Sequence, residues 1–254
     1  MILITNDDGI LAPGIKALVE AAKQFDDILV VAPDSPQSGQ GHAITINSPL
    51  KLRKVNVFEG VSAYECTGTP VDCVKLAKNV LLKDHKIDLC LSGINHGSNA
   101  SINILYSGTM SAAMEASLEG IPSIGFSLLN FSFDADFSAS KFYAEKLIAA
   151  MLNNPSATAT LLNVNIPDGP LDNIKGIKVC RQGEGTWVEE FQEGQDPRGE
   201  KYYWLSGKFE SYEDENNHDN DIWALRNGYV SVVPSGHDLT KYAEINHLKF
   251  IENL

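Results

Sequence analysis

Asp7 and Asp8 stand side by side in NDDG, directly behind the short apolar run MILIT. Adjacent carboxylates repel each other, and burial raises the cost of ionising both. A hard divalent cation removes that cost, because such ions prefer carboxylate oxygens. In a strand the two side chains would point to opposite faces, whereas in a turn, which Gly9 permits, both can converge on one ion. A solvated Asx turn without a ligand is the alternative. Two more polar segments follow strand-like runs, DSPQSGQGH at 34 to 42 and SGINHGSN at 92 to 99. Within them Ser38 and Asn95 supply oxygens that could complete a shell around an ion held by Asp7 and Asp8, with water in the remaining positions.

A second candidate is YSGTMSAAMEA at 106 to 116. Ser107, Gly108 and Thr109 stand where a helix begins, and the free backbone N–H groups and helix dipole there favour a phosphate. An ordinary capped helix start is the alternative. A metal on one side and a helix N-terminus on the other would make a phosphoryl clamp. His42 and His96 fall in the same loops and could act as a general acid or a phosphate ligand, against a structural or solvent-exposed role for each. There is no GxGxxG behind the first strand and no GxxxxGK[ST], which argues against NAD binding and a P-loop ATPase. No HExxH or closely spaced His/Cys group suggests zinc.

These residues need a frame that brings strand ends together. MILIT reads as a buried strand, GIKALVEAAKQF at 14 to 25 as an amphipathic helix, and DDILVVAP as a second strand. The unit is therefore βαβ with a right-handed crossover. A loop or lid follows, with a short strand at AITI. SAYECTG reads as a strand, TPVDCVKLAKNVLL as a helix capped by Thr69, and IDLCLSG as a strand. SGTMSAAMEASLEG is a helix closed by Gly120, PSIGFSLL a strand, SASKFYAEKLIAAML a helix and TATLLNVNIPDG a strand. The alternation predicts an α/β fold: a Rossmann-like, mostly parallel sheet with helices on both faces. In such sheets ligands bind beyond the carboxyl ends of the strands, where the strand order switches.

After residue 175 the pattern changes to short strand-like pieces, IKVCRQG, TWVEEF, KYYWL and YVSVVP, with no helix of normal length between them. The expected division is an α/β catalytic core at 1–175 and a C-terminal antiparallel hairpin extension at 176–254. That extension would form an oligomerisation arm, part of it packing on the core. The aromatics of KYYWL suit an interface; a hairpin folded back on the core is the alternative.

Composition narrows the function. The chain of 254 residues carries 33 acidic and 20 basic residues, a formal net charge of -13. Such a surface repels polyanions and argues against a duplex nucleic-acid groove binder. A small phosphorylated substrate stays compatible, because a bound cation reverses the local field. The four cysteines form no CxxC pair and read as buried free thiols of a reducing compartment. No run is long and apolar enough for a membrane span, and the N-terminus has no signal-peptide pattern, so a cytoplasmic protein is expected.

Together these pieces resemble the SurE family, the stationary-phase survival proteins that act as 5'/3'-nucleotidases. The matching segments include ILITNDDGILAPGI at 2 to 15, VVAPDSPQSG at 30 to 39, TGTPVDCV at 67 to 74 and LSGINHGSN at 91 to 99. They continue with YSGTMSAAMEA at 106 to 116, NVNIPD at 163 to 168, DPRGEKYYWLSG at 196 to 207 and DIWALRNGYVSVVPSGHDLT at 221 to 240. The resemblance implies a Rossmann-like domain and one divalent ion per subunit, Mg²⁺ or Mn²⁺, with Asp7, Asp8, Ser38 and Asn95 as its ligands. It places the phosphate-holding segment on Ser107, Gly108 and Thr109, and a further site-lining residue on Asn99. It also implies a homodimer or homotetramer, formed partly by exchange of C-terminal elements.

The expected reaction is metal-assisted hydrolysis of nucleoside 5'-monophosphates, and of 3' esters as well, to nucleoside and phosphate. Asp7, Asp8, Asn95, Ser107 and Thr109 are its expected catalytic residues. Two alternatives share the scaffold: a phosphatase with a non-nucleotide substrate, and a non-catalytic nucleotide-binding or regulatory protein.

Overall fold

The computed structural model describes residues 1–154 and 161–254. Strand β1 (Ile2–Thr5), helix α1 (Pro13–Ala22) and strand β2 (Ile28–Pro33) form the expected βαβ unit. Pro13 opens α1, where its missing N–H has no helical partner to lose. Strands β3 (Leu52–Val55) and β4 (Ser62–Cys66) follow, then helix α2 (Pro70–Leu76). Thr69 caps α2 reciprocally. Its hydroxyl accepts from the Asp72 N–H at 3.2 Å, and the Asp72 carboxylate accepts from the Thr69 N–H at 2.9 Å. Next come β5 (Leu89–His96), α3 (Gly108–Leu118), β6 (Ser123–Leu128), α4 (Ser138–Leu152) and β7 (Leu161–Ile166). Residues 158–160, the start of the strand expected over TATLLNVNIPDG, lie outside the described residues.

Alternation along β1 sets the layers. Ile2 and Ile4 face a core shared with Ile15 and Leu18 of α1 and Ala144 and Ile148 of α4. Leu3 faces the other way, into a core with Cys73 and Val74 of α2 and Ala112 and Ala116 of α3. Each fully buried Leu or Ile stabilises the fold by about 1.5–3 kcal/mol before conformational entropy is counted. A charged residue at position 4 would therefore break the α1/α4 layer.

After β7 come β8 (Ile177–Val179), β9 (Gly185–Val188), β10 (Phe191–Gln195), β11 (Lys201–Leu205), β12 (Lys208–Ser211), the short helix α5 (Asp221–Arg226), β13 (Val230–Ser235) and the short helix α6 (Tyr242–Leu248). Among the described residues the main sheet has nine strands in the order β3-β4-β2-β1-β5-β6-β7-β13-β8. From β4 to β7 all neighbours are parallel, while β13 runs antiparallel to β7 and β8 lies parallel to β13. YVSVVP is thus a strand of the main sheet. TWVEEF and KYYWL instead build a projecting hairpin, in which β10 pairs with β11 and β9 with β12, both antiparallel.

Two local expectations need correction. AITI at 43 to 46 forms no strand, because its backbone pairs with no neighbouring strand and two of its contacts are to α2: the Ala43 carbonyl accepts from the Thr69 hydroxyl, and the Thr45 N–H donates to Asp72. Helix α1 ends at Ala22 rather than near residue 25, as the Phe25 N–H turns back onto the Ala22 carbonyl. Among the described residues no helix is long and apolar enough to cross a membrane.

Candidate active site

β1 is central, with β2 on one side and β5 on the other. The loops leaving these three strands therefore meet at one edge of the sheet, where its order switches. Asp7 and Asp8 leave β1 in a turn held by Asn6, whose amide donates to the Gly9 carbonyl at 2.9 Å. The Gln37 N–H donates to the Asp7 carbonyl at 2.7 Å and draws the loop behind β2, with Ser38, over Asp7. Asn95 lies near the end of β5. Its amide N–H donates to the Gly97 carbonyl at 2.9 Å, and its Oδ1 has no hydrogen-bond partner among the described residues. Asp7, Ser38, Asn95, Asn99 and Ser107 all line one cavity of about 890 Å³. Asp8 stands beside it, accepting from the His96 N–H at 3.4 Å.

The start of α3 is built around Asp7. Ser107 caps the helix, its hydroxyl accepting from the Met110 N–H at 3.0 Å. Gly108 lies so close to Asp7 that a Cβ there would sit 2.7 Å from the Asp7 Cβ. Thr109 is fully buried, and its hydroxyl donates to Asp7 Oδ1. Expected at a phosphate, Thr109 is turned onto the carboxylate instead, and only Ser107 of the SGT segment borders the cavity.

Burial pushes the Asp7 carboxyl up to about 6, the Asp8 charge adds to the rise, and the Thr109 hydroxyl works against it. Asp8 is also raised by burial, with the His96 side chain opposing. Ionising both residues here is therefore costly without a counterion. Two carboxylates, a hydroxyl and an amide oxygen are hard donors, and that chemistry fits Mg²⁺ or Mn²⁺. Among the described residues no group of three or more His, Cys, Asp or Glu could hold a metal ion, here or elsewhere.

The two loop histidines part company. His42 pairs with Glu115 of α3 at 2.9 Å, and Glu115 also binds Lys75 of α2. His96 lines the cavity and stacks on Phe137 at 5.2 Å.

Comparison with known proteins agrees with this frame. The family described as "Survival protein SurE" matches residues 2–189. The chain belongs to the SurE family. A "5'-nucleotidase SurE" of Flavobacterium psychrophilum is 52% identical over 249 residues, covering 98% of this chain and 96% of that protein. One from Christiangramia forsetii is 54% identical over 250 residues, covering 98% and 95%. A crystal structure of the SurE protein from Aquifex aeolicus superposes with a TM-score of 0.83 at 42% identity, covering 99% of both chains.

In this SurE-family chain the sequence reasoning missed the support beneath Asn99. The Asn99 N–H donates to Asn165 Oδ1 at 2.8 Å, its side chain donates to Ser127 Oγ at 2.8 Å, and its carbonyl accepts from Asn163 Nδ2 at 2.8 Å. The signal was present: two asparagines two residues apart in a strand buried on both faces demand partners. The cavity's apolar wall, which includes Phe131, Trp187 and Phe209, was missed as well. Nothing local in the sequence marks those residues as neighbours.

Proposed function

We propose that the chain is a metal-dependent phosphomonoesterase that hydrolyses nucleoside 5'-monophosphates, with 3' esters as a further substrate class, to nucleoside and phosphate. One observation carries the reading. Asp7, Ser38, Asn95 and Ser107 line a single cavity at the switch in strand order, with Asp8 beside it, in a chain about half identical to proteins named 5'-nucleotidase.

In this reading Asp7, Asp8, Ser38 and Asn95 hold one divalent ion, Mg²⁺ or Mn²⁺. When bound, such an ion supplies Lewis-acid polarisation of a phosphoryl oxygen and a water acidified for attack. Thr109 holds Asp7 in one rotamer and favours its ionised form through the hydroxyl it donates. Ser107, at the N-terminus of α3, and Asn99 bind and orient the phosphoryl oxygens. Asn163 and Asn165 fix the Asn99 backbone from below. Water attacks phosphorus, the ester P–O bond breaks, and the nucleoside leaves as an alcohol that takes up a proton. The reading also includes a homodimer or homotetramer assembled through the hairpin arm, which exposes Phe191, Tyr203, Trp204 and Leu205.

The test is phosphate release from a panel of nucleoside monophosphates with Mn²⁺, with Mg²⁺ and with a chelator. Release that depends on the ion is expected. Nucleotide binding without turnover in either metal would refute the enzyme reading.

A further inference from the structure

The cavity at Asp7 extends well past its polar end. The loop at 129–137 between β6 and α4 carries three phenylalanines, and two of them are committed to His96. Phe137 stacks on its ring at 5.2 Å, and Phe133 meets it edge-on at 6.3 Å. Phe131 is different. It lines the cavity, is 82% exposed, and has no aromatic partner among the described residues. One face of the ring nonetheless lies against the chain, because a Cβ on Gly97 would stand 2.2 Å from Phe131 Cε1. The bare Gly97 backbone is thus the seat of this ring, between Asn95 and Asn99. A large planar apolar group is held beside the polar end of the site with much of its surface unpaired.

A further part of the cavity wall comes from the hairpin of β9 to β12. Trp187 of β9 and Phe209 of β12 meet edge to face at 6.1 Å, and both line the cavity. The indole N–H of Trp187 donates to Asn103 Oδ1 at 2.8 Å, which fixes the ring. With a cation held by the carboxylates at its polar end, a ligand spanning this cavity would be anionic there and flat and apolar-faced at the other end. About 890 Å³ falls within the range of small-molecule sites and leaves room for a nucleoside beyond the phosphate.

Resting on the reading given above, we propose that Phe131 is the stacking platform for the nucleobase of the substrate, in a cavity whose apolar wall also includes Trp187 and Phe209. Every base offers a π-face, so such a platform accepts purines and pyrimidines alike and selects nucleotides over sugar phosphates. Stacking is equal in ground and transition states, so it acts on KM rather than kcat.

The experiment compares nucleoside 5'-monophosphates with ribose 5-phosphate, which keeps the ester and sugar but lacks the base. Wild type, Phe131→Ala and Phe131→Trp are each assayed with Mn²⁺. In Phe131→Ala, KM for nucleotides should rise roughly tenfold with kcat kept, kcat/KM for ribose 5-phosphate should not change, and Phe131→Trp should restore the nucleotide KM. An unaltered nucleotide KM in Phe131→Ala overturns the platform, and so do equal losses on both substrates, which would mean that the ring only braces residues 95–99. A wild type that cleaves ribose 5-phosphate as efficiently as nucleotides overturns the platform and leaves the phosphomonoesterase reading intact. A wild type that cleaves no phosphomonoester overturns that reading, and the platform with it.

Discussion

Replacing Asp7 with Asn should stabilise the metal-free protein while abolishing its metal-dependent activity. Burial, with Asp8 adding to it, lifts the Asp7 carboxyl from the usual 3.8 to about 6. A little over two pH units at about 1.36 kcal/mol each comes to about 3 kcal/mol. Because the folded-state value lies above the unfolded one, the native state keeps its proton longer. This contribution to stability is therefore greatest below about pH 4 and is lost as pH rises through about 6. At about pH 8 without metal the wild type carries the full cost of ionised Asp7, and Asp7→Asn carries none. Asn keeps the shape, and its Oδ1 can still accept from the Thr109 hydroxyl, but its Nδ2 needs a new acceptor. The net gain is therefore at most about 3 kcal/mol, which for a chain of this size is a rise in Tm of several degrees. The gain should shrink toward pH 4. Chelated wild type and mutant would be compared by urea unfolding at both pH values, with Mn²⁺ titration calorimetry and phosphate release alongside. The reasoning fails if the mutant is no more stable at pH 8, or if its advantage does not depend on pH. Stability and activity moving in opposite directions would mark Asp7 as a ligand, since a purely structural aspartate would lose both together.

Two other predictions test the surroundings of the site. Thr109→Val removes the hydroxyl that favours ionised Asp7, so the Asp7 carboxyl should rise further and the acid limb of the activity–pH profile should move to higher pH; turnover should fall by the equivalent of about 1–3 kcal/mol. A pH–rate profile checks this, and an unmoved acid limb would remove Thr109 from the role of holding Asp7. The hairpin of β9 to β12 should carry the oligomer contact, so light scattering on the full chain at micromolar concentration should give a dimer or tetramer, while a monomer would defeat the arm proposal.

The local rules of sequence reached far into this protein. Ile2, Leu3 and Ile4 alternate between two cores, so MILIT was legible as a buried strand with helices on both sides. Thr69 and Asp72 announced the start of α2, and NDDG behind the first strand announced the turn that leaves β1 at the switch in strand order. Such features depend on residues near one another along the chain. Other features depend on strand order and on which side chains meet across it. YVSVVP has the same pattern whether it sits in a separate hairpin or antiparallel to β7, and only long-range pairing put it in the main sheet. Thr109 was legible as a helix-start hydroxyl, but its direction was settled by Asp7, about a hundred residues earlier, which fills the space that Gly108 leaves open. Asn163 and Asn165 find their partner in a loop from β5, and Phe131 finds its seat on Gly97. These contacts join segments distant in sequence, and no local periodicity encodes a distance between two loops.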